Sequence, residues 1–329
     1  MNIYDVAKRC GVSIATVSRV LNESPNVNAN TRARVMDAIR EMGYTPNVFA
    51  RGLGLNSMKM IGMMCTDVSD LYYAKAVSLT ERLLRTRGFG TLLCCTGCES
   101  VGKRQAIALL LEKRVDGILL IGSPFSESKA DHIRAVAARV PVVIINGRLD
   151  LPNVYSLLCD EHGAMKQNTA QLAAHGARHI HYLYDAMTFS GTEKLAGYRE
   201  AVRAAGLPDC SCRIASGISA ARAHVDTLLR SGTPIDAVLT AEDGLAVGAA
   251  KALTAFGRAC PVIGFNNSQL AECATPALTS VDNRLDDLCP AAAALLERVL
   301  AGETMPPCTM LDAQLVERET FRPLDEIKS

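Results

Sequence analysis

The chain has 329 residues, with 35 lysines and arginines against 34 aspartates and glutamates, for a formal charge of +1. This balance excludes a uniformly basic coat and an acidic disordered tail, and a hydrophobic content of 49% is enough to give two or three folding units real cores. The charge is uneven, however: residues 1–60 carry +4 and the other 269 carry −3.

No stretch approaches the roughly 20 apolar residues needed to span a bilayer. The opening MNIYDVAKRC lacks the apolar run of a secretory signal. A soluble cytoplasmic protein is therefore expected. Many of the twelve cysteines sit in apolar runs such as Leu92-Leu93-Cys94-Cys95, so they are read as reduced thiols acting as small hydrophobes, not as a disulfide framework.

Residues 3–43 read as three short helices. The first runs to Cys10 and is closed by Gly11; Ser13 offers an N-cap to Ala15–Leu21; Asn28 caps a third, with Val35, Ala38, Ile39 and Met42 at helical spacing and Gly43 at its end. Pro46, Gly52, Gly54 and Asn56 give residues 44–59 the composition of a linker with marginal helicity.

From residue 60 the pattern alternates between short apolar strands and amphipathic helices. The strands are Met60–Thr66, Thr91–Thr96, Gly117–Ile121, Val142–Ile145, Val154–Cys159, Ile180–Tyr184, Ala237–Thr240 and Val262–Phe265. Such runs indicate parallel sheets covered by helices on both faces. About 220 residues is long for one such sheet, and a division falls near Leu158–Asp160. Two doubly wound α/β lobes are expected, binding ligands beyond the carboxyl ends of their strands.

The head motif Tyr4-Asp5-Val6-Ala7 with Gly11–Asn22 makes physical sense as a helix-turn-helix. Gly11 permits the turn, Val6, Ala7, Val17, Val20 and Leu21 form a small core, and Ser13–Arg19 faces outward for a major groove. A helical bundle used for protein contacts is the alternative; the local positive charge favours nucleic acid.

These residues resemble the lac repressor family of bacterial transcription regulators. The likeness continues through Val27–Arg32, Gly43–Asn47, Ala50–Leu53, Arg114–Ile118, Lys194–Tyr198, Gly264–Asn267 and Thr275–Val281, in family order. It implies an all-α head at 1–45, a hinge at 46–59, one lobe of 60–158 with 283–311, and a second of 159–282 with 312–329. The lobes would form a body similar to periplasmic sugar-binding proteins.

By the same resemblance Ile14, Ala15, Thr16 and Arg19 match positions that face base edges, and Leu53 matches a leucine wedged into the minor groove. Asn2, Ser13, Ser18, Asn22, Asn28, Thr31 and Tyr44 match positions near phosphates. Arg19 can fork to a guanine edge, whereas Ile14 and Ala15 offer only apolar contact. Gly52 and Gly54 beside Leu53 weaken a hinge helix, so residues 47–55 are expected to fold only on DNA.

The implied effector pocket draws on Asp70, Leu71, Tyr72, Tyr73, Phe125, Arg148, Ser190, Lys194, Asp243 and Asn266. Aromatic faces with a few polar groups suit a sugar-like ligand. Lys194 stands where the family usually has arginine, Asn266 where it commonly has aspartate, and Tyr72-Tyr73 in place of a frequent Phe-Phe. Loss of that carboxylate beside Lys194 and Arg148 points to an anionic group, such as a sugar acid or phosphorylated sugar.

Other motifs carry less. Gly97–Lys103 nearly spells a phosphate-cradling loop, but Arg104 occupies the place of the magnesium-holding serine or threonine. Cys95-x-x-Cys98, Cys210-x-Cys212 and His179-x-His181 lack a second pair at metal-site spacing, and no catalytic set emerges. The expected function is a homodimeric, sequence-specific DNA-binding repressor. Its affinity for a pseudo-palindromic operator would be set by a small sugar-like effector bound between the lobes. No enzymatic activity, cofactor, metal or membrane partner is expected. The alternatives are a nucleotide-hydrolysing enzyme using Gly97–Lys103 and a sugar-binding module without DNA function.

Overall fold

A computed structural model of the chain describes residues 2–21, 24–44, 57–125 and 131–321. The head contains α1 (Ile3–Cys10), α2 (Ile14–Leu21) and α3 (Ala29–Glu41). Asn2 caps α1 in a reciprocal box with Asp5, and Gly11 ends it at φ +60°, a left-handed conformation that glycine adopts without steric cost. Val6, Ala7, Cys10, Val17, Val20, Val35, Ala38 and Ile39 form the core, with Leu21, Met42 and Tyr44 packed at its edge.

The body begins with β1 (Met60–Cys65), α4 (Leu71–Thr86), β2 (Gly90–Cys95), α5 (Ser100–Glu112), β3 (Gly117–Ile121), a 3-10 turn (Ser123–Phe125), α6 (Asp131–Ala137), β4 (Val142–Ile145) and β5 (Val154–Cys159). It continues with α7 (Glu161–Ala174), β6 (Ile180–Tyr184), α8 (Phe189–Ala204), β7 (Cys210–Arg213), α9 (Ile218–Arg230), β8 (Ala237–Thr240), α10 (Asp243–Ala255), β9 (Val262–Phe265), α11 (Gln269–Cys273) and β10 (Thr279–Asp282). Last come α12 (Leu285–Leu300), β11 (Cys308–Leu311) and β12 (Gln314–Val316).

Two six-stranded sheets result, ordered β2-β1-β3-β4-β5-β11 and β7-β6-β8-β9-β10-β12. Helices cover both faces of each. In the first lobe one core layer joins α4 and α12 to the sheet, and the other lies under α5 and α6. In the second, α7 and α8 cover one face, and α9 and α10 the other. Helix α12 buries Leu285, Leu288, Cys289, Ala292, Ala293, Leu295 and Leu296, a single stripe at helical spacing. Each fully buried leucine there contributes about 1.5–3 kcal/mol.

The chain passes between the lobes three times, at Asp160, at Asn283–Arg284 and at Asp312–Ala313. The last passage departs from the expected all-parallel pattern: β12 pairs antiparallel with β10. The first sheet delivers β11 to the cleft, and only two residues separate β11 from β12. Without a helix to carry it back, β12 must start at the cleft and run away from it, against its neighbour.

None of the twelve cysteines, all among the described residues, forms a disulfide. No helix among the described residues is long and apolar enough to cross a membrane.

Candidate functional site

Two surfaces gather the residues singled out in the sequence. The first is the head. Ser13 caps α2, its Oγ accepting from Thr16 N at 3.1 Å and meeting the Thr16 hydroxyl at 2.9 Å. That cap orients α2 so that Val17 and Val20 face the head core while Ser13, Ile14, Ala15 and Arg19 stand exposed. Ile14 is an apolar side chain left 38% exposed, a placement suited to contact with a base edge.

Asn28 caps α3 by accepting from Thr31 N at 2.8 Å, as Asn2 caps α1. The three polar residues Asn2, Ser13 and Asn28 thus hold helix N-termini, which are favourable positions for phosphate. Tyr44 packs against the head core, Ser18 is half-buried and Thr31 is partly exposed. Asn22, Leu53 and the expected hinge fold of 47–55 lie outside the described residues.

The second surface is the cleft where the carboxyl ends of both sheets meet. A cavity of about 100 Å³ is lined by Asp70, Tyr72, Tyr73, Gly122, Ser123, Asn146, Glu161, Ser190, Lys194 and Asn266. Asp70 caps α4 after β1 by accepting from Tyr72 N at 2.7 Å. Tyr72 and Tyr73 meet edge to face, 5.3 Å between centroids. Gly122, after β3, sits at φ +100° with the Tyr73 ring where a Cβ would stand, so a side chain there would displace that ring.

At the heart of the cleft Glu161 accepts from Asn146 Nδ2 at 3.0 Å and lies 3.5 Å from Lys194 Nζ. Lys194 also donates to the Ala241 carbonyl at 3.0 Å, with its ammonium 3.8 Å from the centre of the Phe265 ring. Asn146 and Asn266 follow β4 and β9 with φ of 56° and 96°. Positive φ is tolerated by asparagine better than by most residues but still strained, and such backbone clusters at ligand sites. Asn283 Nδ2 donates to Asn266 Oδ1 at 2.9 Å, fixing that side chain.

Not every expected pocket residue lines this cavity. Leu71 is exposed and outside the cavity lining. Phe125 is buried in the first lobe's core, beneath the Lys103 ammonium. Arg148 is half exposed and paired with Asp150 at 3.2 Å. Asp243 is buried inside the second lobe, accepting from Ser268 N and Oγ, both at 2.7 Å, and from Ser280 Oγ at 2.5 Å; it organises loops beneath the site. Sequence reasoning missed Gly122, Ser123, Asn146 and Glu161. The usable signal was position: each follows a strand at its carboxyl end.

The two cations behind the expected preference for an anion are both paired. Lys194 is already committed to Glu161, and Arg148 is turned to Asp150. Glu242, beyond β8, has its carboxyl pushed up to about 7 by burial, with Asp185 and Asp70 adding and Lys194 opposing. Asp70 is also raised, by burial first and then by Asp67 and Asp185, against the Tyr72 and Tyr73 amides. Burial likewise raises the Tyr72 phenol, keeping it a neutral donor and acceptor.

The motifs set aside remain so. Lys103 is 1% exposed and donates to the Pro124 carbonyl at 2.7 Å, so its ammonium points into the lobe and not toward a phosphate. His181 Nε2 meets the Pro234 carbonyl and His179 pairs with Asp236. Among the described residues no cluster of three metal-ligating side chains occurs.

Residues 2–47 match the model of lacI-family bacterial regulatory proteins, and residues 169–321 that of a periplasmic binding protein-like domain. An HTH-type transcriptional regulator of Lachnoclostridium phytofermentans is 44% identical, covering 97% of this chain and 99% of that protein. The regulator AscG of Escherichia coli K12 is 31% identical over 97% of this chain and 98% of its own length. Among solved structures, a lac repressor dimer bound to operator and an anti-inducer aligns with a TM-score of 0.88 at 24% identity, covering 97% and 98% of the two chains. A complex of the regulator CelR with cellobiose aligns at 0.71 and 29% identity, covering 98% and 100%. A capped, outward-facing second helix and a two-lobed cleft therefore sit in one chain whose full-length relatives are regulators: the protein belongs to the lacI family and is a DNA-binding transcriptional regulator.

Proposed function

We propose that the chain is a cytoplasmic repressor that binds a pseudo-palindromic operator as a homodimer and releases or tightens it when a sugar-like effector enters the cleft. The observation that carries this reading is the polar contact set joining the lobes: Asn146 to Glu161 to Lys194, and the Ser123 hydroxyl to Thr188 Oγ1 at 2.8 Å. These contacts close the cleft to about 100 Å³, below the roughly 300–1,000 Å³ of typical ligand sites. An entering ligand must exchange them for its own hydrogen bonds and so change the angle between lobes, which is the differential affinity that effector control requires. The cellobiose in the CelR complex supports a carbohydrate.

In the head, Arg19 is assigned to a guanine edge, Ile14 and Ala15 to apolar, shape-like contacts and Thr16 to a base edge, with Asn2, Ser13, Ser18, Asn22, Asn28, Thr31 and Tyr44 near phosphates and Leu53 at the dimer axis. The test is a two-part measurement on the full chain. A thermal-shift panel of saccharides identifies a stabilising ligand, and that ligand must then alter operator affinity. A stabilising sugar that leaves operator binding unchanged would refute the coupling.

A further inference from the structure

We propose that Asp116 is a positioning residue for operator binding: its carboxylate fixes where the chain from the head enters the body, and so sets the spacing at which two heads can bind. This rests on the reading of the protein as a homodimer on a pseudo-palindromic operator.

The match to the lacI-family head ends at residue 47 and β1 begins at Met60, so residues 57–59 are the last of the connection before the sheet. Asp116, one residue ahead of β3, grips them. Its Oδ1 accepts from Met58 N at 3.0 Å and its Oδ2 from Met60 N at 2.8 Å, while its own amide donates to the Met60 carbonyl at 2.8 Å. Pairing of β1 with β3 starts at Ile61 with Gly117, so the side chain extends the hold outward from the ladder to Met58.

The backbone within this grip is strained. Lys59, between the two held amides, sits at φ +49°, a left-handed conformation that a residue with a side chain keeps only where its surroundings over-determine it. Its carbonyl accepts from Gly90 N at 2.7 Å, its amide donates to Ser57 Oγ at 3.2 Å, and its ammonium lies 4.7 Å from the centre of the Phe89 ring. Met58 is buried. A segment held in this way is not free to swivel where it joins the sheet.

The second lobe uses the corresponding grip for folding alone. Asp236, one residue ahead of β8, accepts from Arg178 N at 2.9 Å and His179 N at 2.7 Å, and its amide donates to the His179 carbonyl at 3.0 Å. There the held segment joins α7 to β6, two elements of one lobe. In the first lobe it comes from the head, and the grip acquires a second role.

The two strands that Asp116 joins at their amino ends also carry the first lobe's wall of the cleft. Asp70, Tyr72 and Tyr73 follow β1, and Gly122 and Ser123 follow β3. The entry point of the head therefore moves with that wall. Dimeric readers of this kind bind half-sites at a set separation, and a fixed entry point enforces the separation where a loose one tolerates others.

The test is operator spacing, measured by equilibrium binding of the full-length protein. The parent chain selects an operator from a randomised library, and versions with one base pair inserted or removed at its centre are compared with it. The parent should discriminate against the altered spacings tenfold or more. Asp116→Ala should reduce that discrimination to threefold or less, with base preference inside each half-site unchanged. Asp116→Asn keeps one accepting oxygen and should fall between. Asp236→Ala is the matched control: it should lower the melting temperature and keep the parent's discrimination. If Asp116→Ala retains the parent's discrimination, or Asp116→Asn does so where the alanine variant does not fold, the proposal is overturned. It is equally overturned if Asp236→Ala relaxes spacing as much, because the effect is then one of lobe stability. If the parent selects a single half-site or tolerates every spacing, the dimeric-operator reading falls and the proposal with it.

Discussion

Ser123, just past β3 in the first lobe, donates its hydroxyl to Thr188 Oγ1 in the second at 2.8 Å, and the same Thr188 oxygen accepts from Gly191 N at 3.3 Å to cap α8. One hydroxyl thus serves both a helix terminus and the contact between lobes. The helix that it caps carries Ser190 and Lys194 into the cleft, so the cap positions the site as well as the fold.

Substitution can separate those two roles. Thr188→Ala removes cap and tie together and should cost about 0.5–2 kcal/mol from the cap alone. Ser123→Ala removes only the tie, with a net loss of about 0.5–1.5 kcal/mol. Thermal denaturation should rank Thr188→Ala as the more destabilised, and equal melting temperatures would show that the cap contributes nothing.

Stability should fall as pH rises from about 4.5 to about 7. Glu242 is raised from 4.5 to about 7 by burial and by Asp185 and Asp70. Over that window the folded state holds a proton that the unfolded state has released, which gives stability a negative slope in pH. The contribution is complete below the unfolded value and lost above about 7, with an upper size of about 3 kcal/mol. Urea denaturation across pH 4.5–7.5 should show the slope, and Glu242→Gln should flatten it. A Glu242→Gln variant with the parent's slope would assign the effect elsewhere.

Lys194→Met should be far more damaging than its removal together with Glu161. Both side chains are almost fully buried, and the single change strands a carboxylate held, among the described residues, by the Asn146 amide. Breaking one side of a buried pair costs about 3–5 kcal/mol. The double variant Lys194→Met with Glu161→Gln should recover much of this, because it leaves no buried charge. A double variant as unstable as the sum of the two singles would refute the coupling.

In the head, Arg19→Ala should relax base preference at one operator position by about 1–3 kcal/mol and leave the head folded, since Arg19 is exposed and outside the head core. Selection from a randomised operator library reads this directly. A variant with the parent's preference at every position would remove Arg19 from the base contacts.

Much of the fold was legible in the residues because burial was written into them. Gly117–Ile121, Val142–Ile145, Ala237–Thr240 and Val262–Phe265 are continuous apolar runs and are buried along their whole length. The strands that escaped notice are short and broken by polar residues: Cys210–Arg213, Thr279–Asp282, Cys308–Leu311 and Gln314–Val316. They are strands because a neighbouring edge offers hydrogen bonds to their main chain, a property of the partner and not of their own side chains. Likewise, Asp70, Tyr72, Tyr73, Ser190, Lys194 and Asn266 could be placed near one cleft because each follows a strand at its carboxyl end, the position from which doubly wound sheets present ligand contacts.

The sequence by itself determined the head, through local capping, the Gly11 turn and 3.6-residue periodicity, and it determined the alternation that makes two covered sheets. Only tertiary structure decided the character of the cleft. Whether Lys194 is a free cation depends on Glu161, 33 positions away in the chain, and on Asn146 behind it. Whether Glu242 is ionised depends on Asp185 and on Asp70 across the lobes. Charge in a confined site is set by distance and burial, and neither is a property of position in the chain.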